Sequence, residues 1–389
     1  MQNRQIIEPK RSIDVIHETD VLVVGSGPGG LSAAIASARC GVKTTLLERF
    51  GCFGGNITVV GVEGFAWYRH EKTVEAGGIG REFEELAKEM GAAVPESQSL
   101  SYELDSEGFK LVADKLVMDS GIHPMLHRSF SMPIMEGNTI IGVIVESKAG
   151  REAILSKVVI DATGDADVAF RAGAQLNTMP VEELMATSVM FHLAGVDKKA
   201  FLSEIQNNPQ SYKDWSDSEW EVETDGKEDD LFSPFIKKPF QQAINDGLLP
   251  SDLKTIGGTW GAVHDTGELT YMNIIQLSNI DGTNPDDLTR GEIEGRKQAM
   301  LAIEALKKYY PGCEKARLRN FGMSIGIRDT RKLDAVYNMT ELDVRKQGKF
   351  EDTIGIYPEF IDGYGLLILP TTGRYMELPY SAMLPKNIN

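Results

Sequence analysis

The apolar positions of the chain follow two rhythms, one of short buried strands and one of amphipathic helices. Val21 to Val24 are continuously apolar, as a parallel strand covered on both faces must be. A glycine turn follows, then a helix kept thin by Ala33, Ala34, Ala36 and Ala38, then a second strand that ends at Glu48. The same reading predicts helices over 79–90, with Gly77 and Gly78 before and Gly91 after, and over 107–120, with Phe109, Val112, Leu116 and Val117 on one face. A short strand over 122–126 should join the parallel sheet. A hairpin follows, with Ile140–Glu146 as one arm, Lys148 to Gly150 as the turn and Glu152–Ser156 as the return. Val158–Asp161 is then expected to be a buried strand, with Asp165 and Asp167 able to cap the helix after it. Residues 184–196 read as helix and strand. A long helix is expected from about Arg290 to Tyr309, capped by Thr289 and stopped by Pro311. Residues 1–19 form a polar lead-in whose IDVIHETD stretch pairs at a sheet edge. Residues 207–227 are highly polar and exposed, with Trp215 and Trp220 as surface anchors.

The unit from Asp20 to Glu48 carries chemistry as well as structure. Its GSGPGG turn lies between a buried strand and a helix, and an acid ends the next strand, which is the context a dinucleotide fingerprint requires. Gly25 makes the tight turn, Gly27 lets a pyrophosphate approach the backbone, and Gly30 lets the helix pack closely on the sheet. The helix begins with free N–H groups and its positive dipole end toward the phosphates. Glu48 would accept hydrogen bonds from a ribose 2′-OH and 3′-OH and would repel a phosphate there, so FAD or NAD is favoured over NADP.

Two further stretches move this reading from NAD to FAD. The run GCFGGNIT brings Gly51, Gly54 and Gly55 together just after the ribose acid, where backbone must pass close to the rest of a long dinucleotide, and Asn56 and Thr58 add short polar groups. Much later, VVIDATGDAD places Ala162, Gly164 and Asp165 after an apolar strand, again in small-residue backbone able to run beside a cofactor. The candidate cofactor contacts are therefore Gly25, Ser26, Gly27, Pro28, Gly29, Gly30, Glu48, Arg49, Gly54, Gly55, Asn56, Thr58, Ala162, Gly164 and Asp165.

Charge and composition narrow the partners. The net charge of −17 disfavours nucleic acid and anionic membranes. No apolar run is long enough for a membrane helix and the N-terminus lacks a signal core, so a cytoplasmic protein is expected. Cys40, Cys52 and Cys313 are too widely spaced for a dithiol, an iron–sulfur cluster or a zinc site. No metal is expected.

These motifs, GSGPGG, LLER and GCFGGNIT with VVIDATGDADVAFRAGA, resemble the FAD-dependent oxidoreductase family, a relative of fumarate reductase, ketosteroid dehydrogenase and glutathione reductase-type flavoproteins. Residues 271–330 are similar too: a strand, a turn with DGT, proline and DLT, and a long helix, then a G-x-R-x-x-R segment matched by Gly326, Arg328 and Arg331. The resemblance implies an α/β protein with a Rossmann-like FAD-binding fold, a three-stranded β-meander crossover and an inserted α+β substrate domain. It divides the chain into a first part of the FAD domain over 1–174, a substrate or cap domain over 175–325 and an incomplete return over 326–389. Two departures stand out. IYPEFIDGYG has Glu359 and Phe360 and no histidine where the family commonly carries one, so no role attached to that histidine transfers. The family also continues past LPYSAMLPKNIN into a segment that closes over the cofactor. The expectation is a truncated longer product, or a second chain or homo-oligomer that completes the site.

The chemistry expected is hydride transfer between a small organic substrate and flavin N5, with the paired proton handled by a nearby acid or base. The candidates for that role are His264, His70, Tyr68 and Arg328, and a fixed guanidinium at Arg328 would suit a flavin or an anionic substrate. A lone histidine is more often structural, and Arg331 reads as a salt-bridged arginine. An NAD-dependent hydride-transfer enzyme and a non-catalytic dinucleotide-binding subunit remain as alternatives.

Overall fold

The computed structural model describes residues 5–64, 77–95, 102–210, 221–225, 235–253, 256–369 and 371–389. The candidates Tyr68 and His70 lie outside these residues, as do Trp215 and Trp220. The first half of the chain runs β1 (Val15–Val24), α1 (Pro28–Arg39), β2 (Thr44–Leu47), a π-helical turn (Asn56–Val60), α2 (Ile79–Glu89), β3 (Ala93–Pro95), β4 (Tyr102–Leu104), α3 (Ser106–Asp119), β5 (His123–Met125), β6 (Ser129–Glu136), β7 (Thr139–Ser147), β8 (Gly150–Asp161) and α4 (Asp167–Ala172). Then come β9 (Leu176–Asn177), β10 (Thr187–Ala194), α5 (Lys198–Asn207), β11 (Glu221–Glu223), β12 (Phe235–Ile236), α6 (Lys238–Asn245), β13 (Gly258–Thr259), β14 (Leu269–Leu277), α7 (Pro285–Tyr309) and β15 (Arg317–Phe321). The last stretch is β16 (Lys332–Leu333), α8 (Glu341–Arg345), β17 (Thr353–Pro358), β18 (Ile361–Gly363), β19 (Leu366–Ile368) and β20 (Tyr375–Pro379).

The first sheet has the order β5-β2-β1-β8-β7-β6. Its first four strands are parallel, and β8, β7 and β6 form an antiparallel meander that extends the same sheet. This is the α/β, Rossmann-like arrangement with a three-stranded meander that the sequence predicts. Strand alternation explains its two cores. Val23 and Leu46 point to the face covered by α1, α2 and α3, where Leu31, Ile35, Phe83, Phe109 and Val112 meet them. Leu22, Val24 and Leu47 point to the opposite face, with Val143, Val145 and Ile154.

Four details differ from expectation. Val15–Asp20 is the first half of the central strand β1, paired with β8, and is not an edge arm. The return arm of the hairpin and Val158–Asp161 are one continuous strand, and its far end is not buried: Val158 is 51% exposed. The cause is that β7 pairs with β8 only as far as Leu155, so the strand beyond it has a neighbour on the β1 side alone. Helix α7 begins at Pro285, five residues before the expected start. Asn284 caps it by accepting from the Asp286 N–H at 3.0 Å, proline occupies the first helical position, and the Thr289 hydroxyl donates inside the helix to the Pro285 carbonyl. Asp165 does not cap α4. The Asp161 carboxylate accepts from the Ala169 N–H and Thr163 Oγ1 from the Asp167 N–H, each at 2.9 Å.

The second sheet, β12-β13-β14-β10-β15, is antiparallel. Helices α5, α6 and α7 supply the rest of its core, where Phe201, Trp260, Phe191 and Leu306 are buried. Phe201 packs edge-on to Trp260 at 5.1 Å and against Tyr310 at 5.0 Å. Among the described residues no helix is long and apolar enough to cross a membrane. Truncating Phe201 to alanine would leave a cavity beneath two aromatic rings and should cost about 3–5 kcal/mol of unfolding free energy, read by urea denaturation.

Candidate functional site

The site is built where β1 ends. Gly25 has φ +98 and packs so tightly on Ala162 that a Cβ there would overlap the Ala162 carbonyl. A Cβ on Gly30 would overlap the Gly25 carbonyl. These two glycines bring the turn, α1 and the end of β8 into contact, as the fingerprint spacing requires. Gly27 differs: a Cβ on it would have nothing within 4 Å. It stands at the N-terminus of α1 without a side-chain cap, Pro28 occupies the first turn, and no acid lies in that turn. The free N–H groups and the helix dipole therefore point into open space beside Gly27 and Gly29, whose added Cβ would also meet nothing.

The GCFGGNIT loop forms one wall of this cradle. Gly54 N–H donates to the Ser26 carbonyl at 2.9 Å, and a Cβ on Gly55 would lie 2.6 Å from Gly27 Cα. Gly54 and Gly55 have φ of +113 and +50, so glycine is needed on both conformational and steric grounds. The loop runs directly into the π-helical turn at Asn56. Thr58 is buried, and its hydroxyl donates to the Phe53 carbonyl at 2.6 Å, bracing the loop from within. Cys52 Sγ lies 3.7 Å from the same hydroxyl, and all three cysteines are free.

Glu48 sits at the end of β2 and is buried. It accepts from Ser26 N–H at 3.0 Å, from Ser26 Oγ at 2.6 Å and from Phe50 N–H at 2.9 Å. A carboxylate offers about four acceptor positions, so one remains for a ribose hydroxyl. His127, which the sequence reading passed over, lies beside this acid. Its backbone is left-handed at φ 58, its N–H donates to Phe50 O, and its ring Cε1 would lie 2.8 Å from a Cβ on Gly51.

Beyond β8, Gly164 has φ +87 and open space where its Cβ would be. Asp165 accepts from Thr330 Oγ1 at 2.8 Å, and Arg331 donates to the Asp165 carbonyl and to Asp167 Oδ1, each at 2.8 Å, while stacking on Phe170. Burial pushes the Asp165 carboxyl up, opposed by the Thr330 hydroxyl and by nearby Arg49 and Arg331. Arg331 is thus the salt-bridged structural arginine expected. The segment 322–331 bridges the two sheets. Gly322 and Gly326 donate to Met190 and Ser188 of β10, and Met323 N–H donates to Val59 O of the π-turn at 2.7 Å.

Arg328 is fixed over the second sheet. Its Nε and Nη2 reach Ser188 Oγ at 3.2 and 2.9 Å, Nη2 lies 3.4 Å from Asn273 Oδ1, and Nη1 lies 3.6 Å from Asp362. His264 stands apart from it in the Val263–Leu269 turn, where its backbone pairs with Glu268 and Gly267. None of its backbone contacts reaches the cradle.

A buried pair that the sequence reading missed joins the segment after the π-turn to the second sheet. Glu63 is 2% exposed and His192, on β10, is 3% exposed; Nε2 of the ring lies 3.4 Å from Glu63 Oε1. Ser106 N–H donates to the same oxygen at 3.0 Å. Arg319 Nη1 lies 3.3 Å from His192 Nδ1. An arginine can only donate, so a neutral ring carries its proton on Nε2 and turns it toward Glu63. Burial pushes the Glu63 carboxyl up to about 7, and burial with the Arg319 charge pushes His192 down to about 4. An acid standing alone among glycines and apolar residues, as in GVEGF, was the one available signal.

The signs of these two shifts give a test. Glu63 rises from 4.5 to about 7 on folding, so its contribution to stability is full below 4.5 and is lost as pH rises through 7. His192 falls from 6.5 to about 4, so its contribution is full above 6.5 and is lost as pH falls through 4. Glu63→Gln should therefore gain stability relative to the wild type between pH 5 and pH 8, on the order of 3 kcal/mol. Thermal melts of both proteins across that range measure it, and parallel profiles would contradict the assignment.

Residues 20–389 match the family model described as FAD dependent oxidoreductase. The thiamine thiazole synthase of Metallosphaera sedula is 33% identical over 160 residues, covering 38% of this chain and 55% of that protein. The thiamine thiazole synthase of Saccharolobus solfataricus is 33% identical over 162 residues, covering 39% and 57%. The chain thus spans about half the length of these relatives. Among solved structures, a geranylgeranyl bacteriochlorophyll reductase-like protein of Thermoplasma acidophilum aligns with a TM-score of 0.46 and 16% identity over 90% of this chain and 70% of that one, too loose a likeness to carry an argument. With a match that runs from the fingerprint strand to the last residue, the chain belongs to the FAD-dependent oxidoreductase family.

Proposed function

We propose that the protein binds FAD in the cradle between Gly27 and the Gly54–Gly55 loop and moves a hydride between a small organic substrate and flavin N5. The observation that supports this best is the open space over Gly27 at an uncapped helix N-terminus, walled by a loop whose glycines exclude any side chain. The group supplies the redox chemistry when bound. The chain's own residues bind and orient it. Gly27 and Gly29 present backbone N–H groups and space to the pyrophosphate, Pro28 between them sets the first helical turn without a donor of its own, and Ser26 and Glu48 form a polar end for the adenosine ribose. Arg49, Asn56, Ala162, Gly164 and Asp165 border the rest.

On the substrate side, Arg328 is the best-placed of the catalytic candidates. Ser188 and Asn273 hold its guanidinium in one orientation, and it sits at the end of the segment that also fixes the π-turn. In this reading it anchors an anionic group of the substrate against the second sheet, a binding role that a permanent planar cation suits. His264 has no comparable support, and Tyr68 and His70 remain candidates from sequence. A small-molecule substrate is the expected partner.

Two measurements test the reading. Protein supplied with FAD should retain bands near about 370 and 450 nm after desalting, the positions expected for an oxidised flavin. Glu48→Arg should weaken FAD binding by at least about tenfold, because it replaces a buried acceptor by an unpartnered cation. Unchanged affinity in that variant would remove Glu48 from the ribose site.

A further inference from the structure

We infer that FAD binding at the cradle is linked to one proton held on Glu63, with His192 as its positioning residue and the π-helical turn as the connection. The inference rests on the FAD reading of the cradle and adds to it a regulation of that site.

The connection is short and continuous. Gly54 and Gly55 close the cradle against Ser26 and Gly27. Five residues of π-turn follow, and Val62 N–H donates back to Asn56 O, so the turn is tied by hydrogen bond to what comes after it. Gly61 ends the turn in a left-handed conformation with φ +87, and a Cβ on it would lie 3.9 Å from His192 Nε2. The imidazole therefore packs against the turn's own backbone. Glu63 comes next. Its carbonyl accepts from Leu104 N–H, its carboxyl accepts from Ser106 N–H, and it faces the same His192 Nε2. One end of a single turn thus walls the phosphate cradle, and the other end carries a carboxyl that water does not reach.

The charges around Glu63 decide what ionisation does. At the N-cap of α3, Asp105 raises its proton affinity, and from β10, His192 meets it as a neutral donor. Arg319 on β15 directs its Nε to Glu268 at 2.8 Å and its Nη1 to His192. Glu103 of β4 is buried nearby, packed so closely on Gly261 that a Cβ there would overlap its carboxylate. The hydroxyls and amide that touch Glu63, from Ser106 and Thr270, bring hydrogen bonds and no charge. An ionised Glu63 is therefore a negative charge in low dielectric, and loss of its proton disfavours the closed junction that holds the π-turn in place. FAD adds the negative charge of its pyrophosphate at the other end of the turn. The protonated form binds FAD more tightly, and by reciprocity FAD raises the proton affinity of Glu63.

The experiment is a pair of equilibrium measurements that need no substrate. Quenching of FAD fluorescence gives the dissociation constant of the wild type and of Glu63→Gln from pH 5.5 to 9. The wild type should weaken about fivefold or more as pH rises from 6 to 8, and the glutamine variant should keep the acid-side affinity throughout. Titration calorimetry of the wild type at pH 7, in buffers of different ionisation enthalpy, should show uptake of a fraction of a proton per FAD bound; this arm stands even if the variant does not fold. A wild-type affinity that is flat with pH, zero proton uptake, or an unchanged pH step in the variant would overturn the linkage and leave FAD binding intact. No FAD binding at any pH would overturn the cofactor reading itself.

Discussion

One backbone hydrogen bond, from Gly54 N–H to the Ser26 carbonyl, organises the first half of the molecule. It brings the GCFGGNIT loop down onto the fingerprint turn, with Gly55 so close that a Cβ on it would lie 2.6 Å from Gly27 Cα. The side of Gly27 where its Cβ would point stays open, at the N-terminus of α1. Buried polar backbone must be satisfied from somewhere. Here the loop satisfies Ser26 while leaving the helix donors free, and that division of partners gives an ordinary strand–turn–helix unit an end suited to phosphate.

The second sheet matters because it holds the far side of the same loop. Segment 322–331 ladders onto β10 at Ser188 and Met190, ties Met323 to the π-turn at Val59, and reaches across to Asp165 and Asp167 through Thr330 and Arg331. A Cβ on Gly322 would overlap the Val60 carbonyl, so the approach of the two parts is fixed by backbone. Arg328 belongs to this strap. Its orientation is set by the same strand that the strap pairs with, so the candidate substrate anchor and the candidate cofactor cradle are positioned by one continuous set of hydrogen bonds.

How much of this was legible in the sequence follows from what each feature depends on. The fingerprint, α1, α2, α3 and the meander are local or periodic, and glycine positions report backbone needs directly, so Gly25, Gly27, Gly30, Gly54 and Gly55 could be read in advance with their reasons. The start of α7 differs because Thr289 is an eligible cap for the apolar pattern beyond it, whereas Asn284 followed by Pro285 is the stronger signal and sets the first turn. Val158 reads as buried because three apolar residues in a row, Val158 to Ile160, look the same whether or not a neighbouring strand continues beside them. Asp165 and Thr330 meet across 165 positions of chain, and Glu63 meets His192 of β10 from the segment after the π-turn. Contacts of that kind leave no periodic trace, and a single acid in a glycine-rich run marks a position without naming its partner.

The central claim is that the space over Gly27 exists to receive a pyrophosphate. Gly27 has φ −61 and ψ 178, values any residue adopts, and an added Cβ would meet no protein atom within 4 Å. Filling that space therefore separates the fold from the ligand. Gly27→Val should melt within about 1 kcal/mol of the wild type, as surface substitutions away from special features do, yet lose at least about a hundredfold in FAD affinity by equilibrium titration, a penalty of roughly 2.7 kcal/mol. A valine variant that keeps wild-type affinity for FAD would contradict the account.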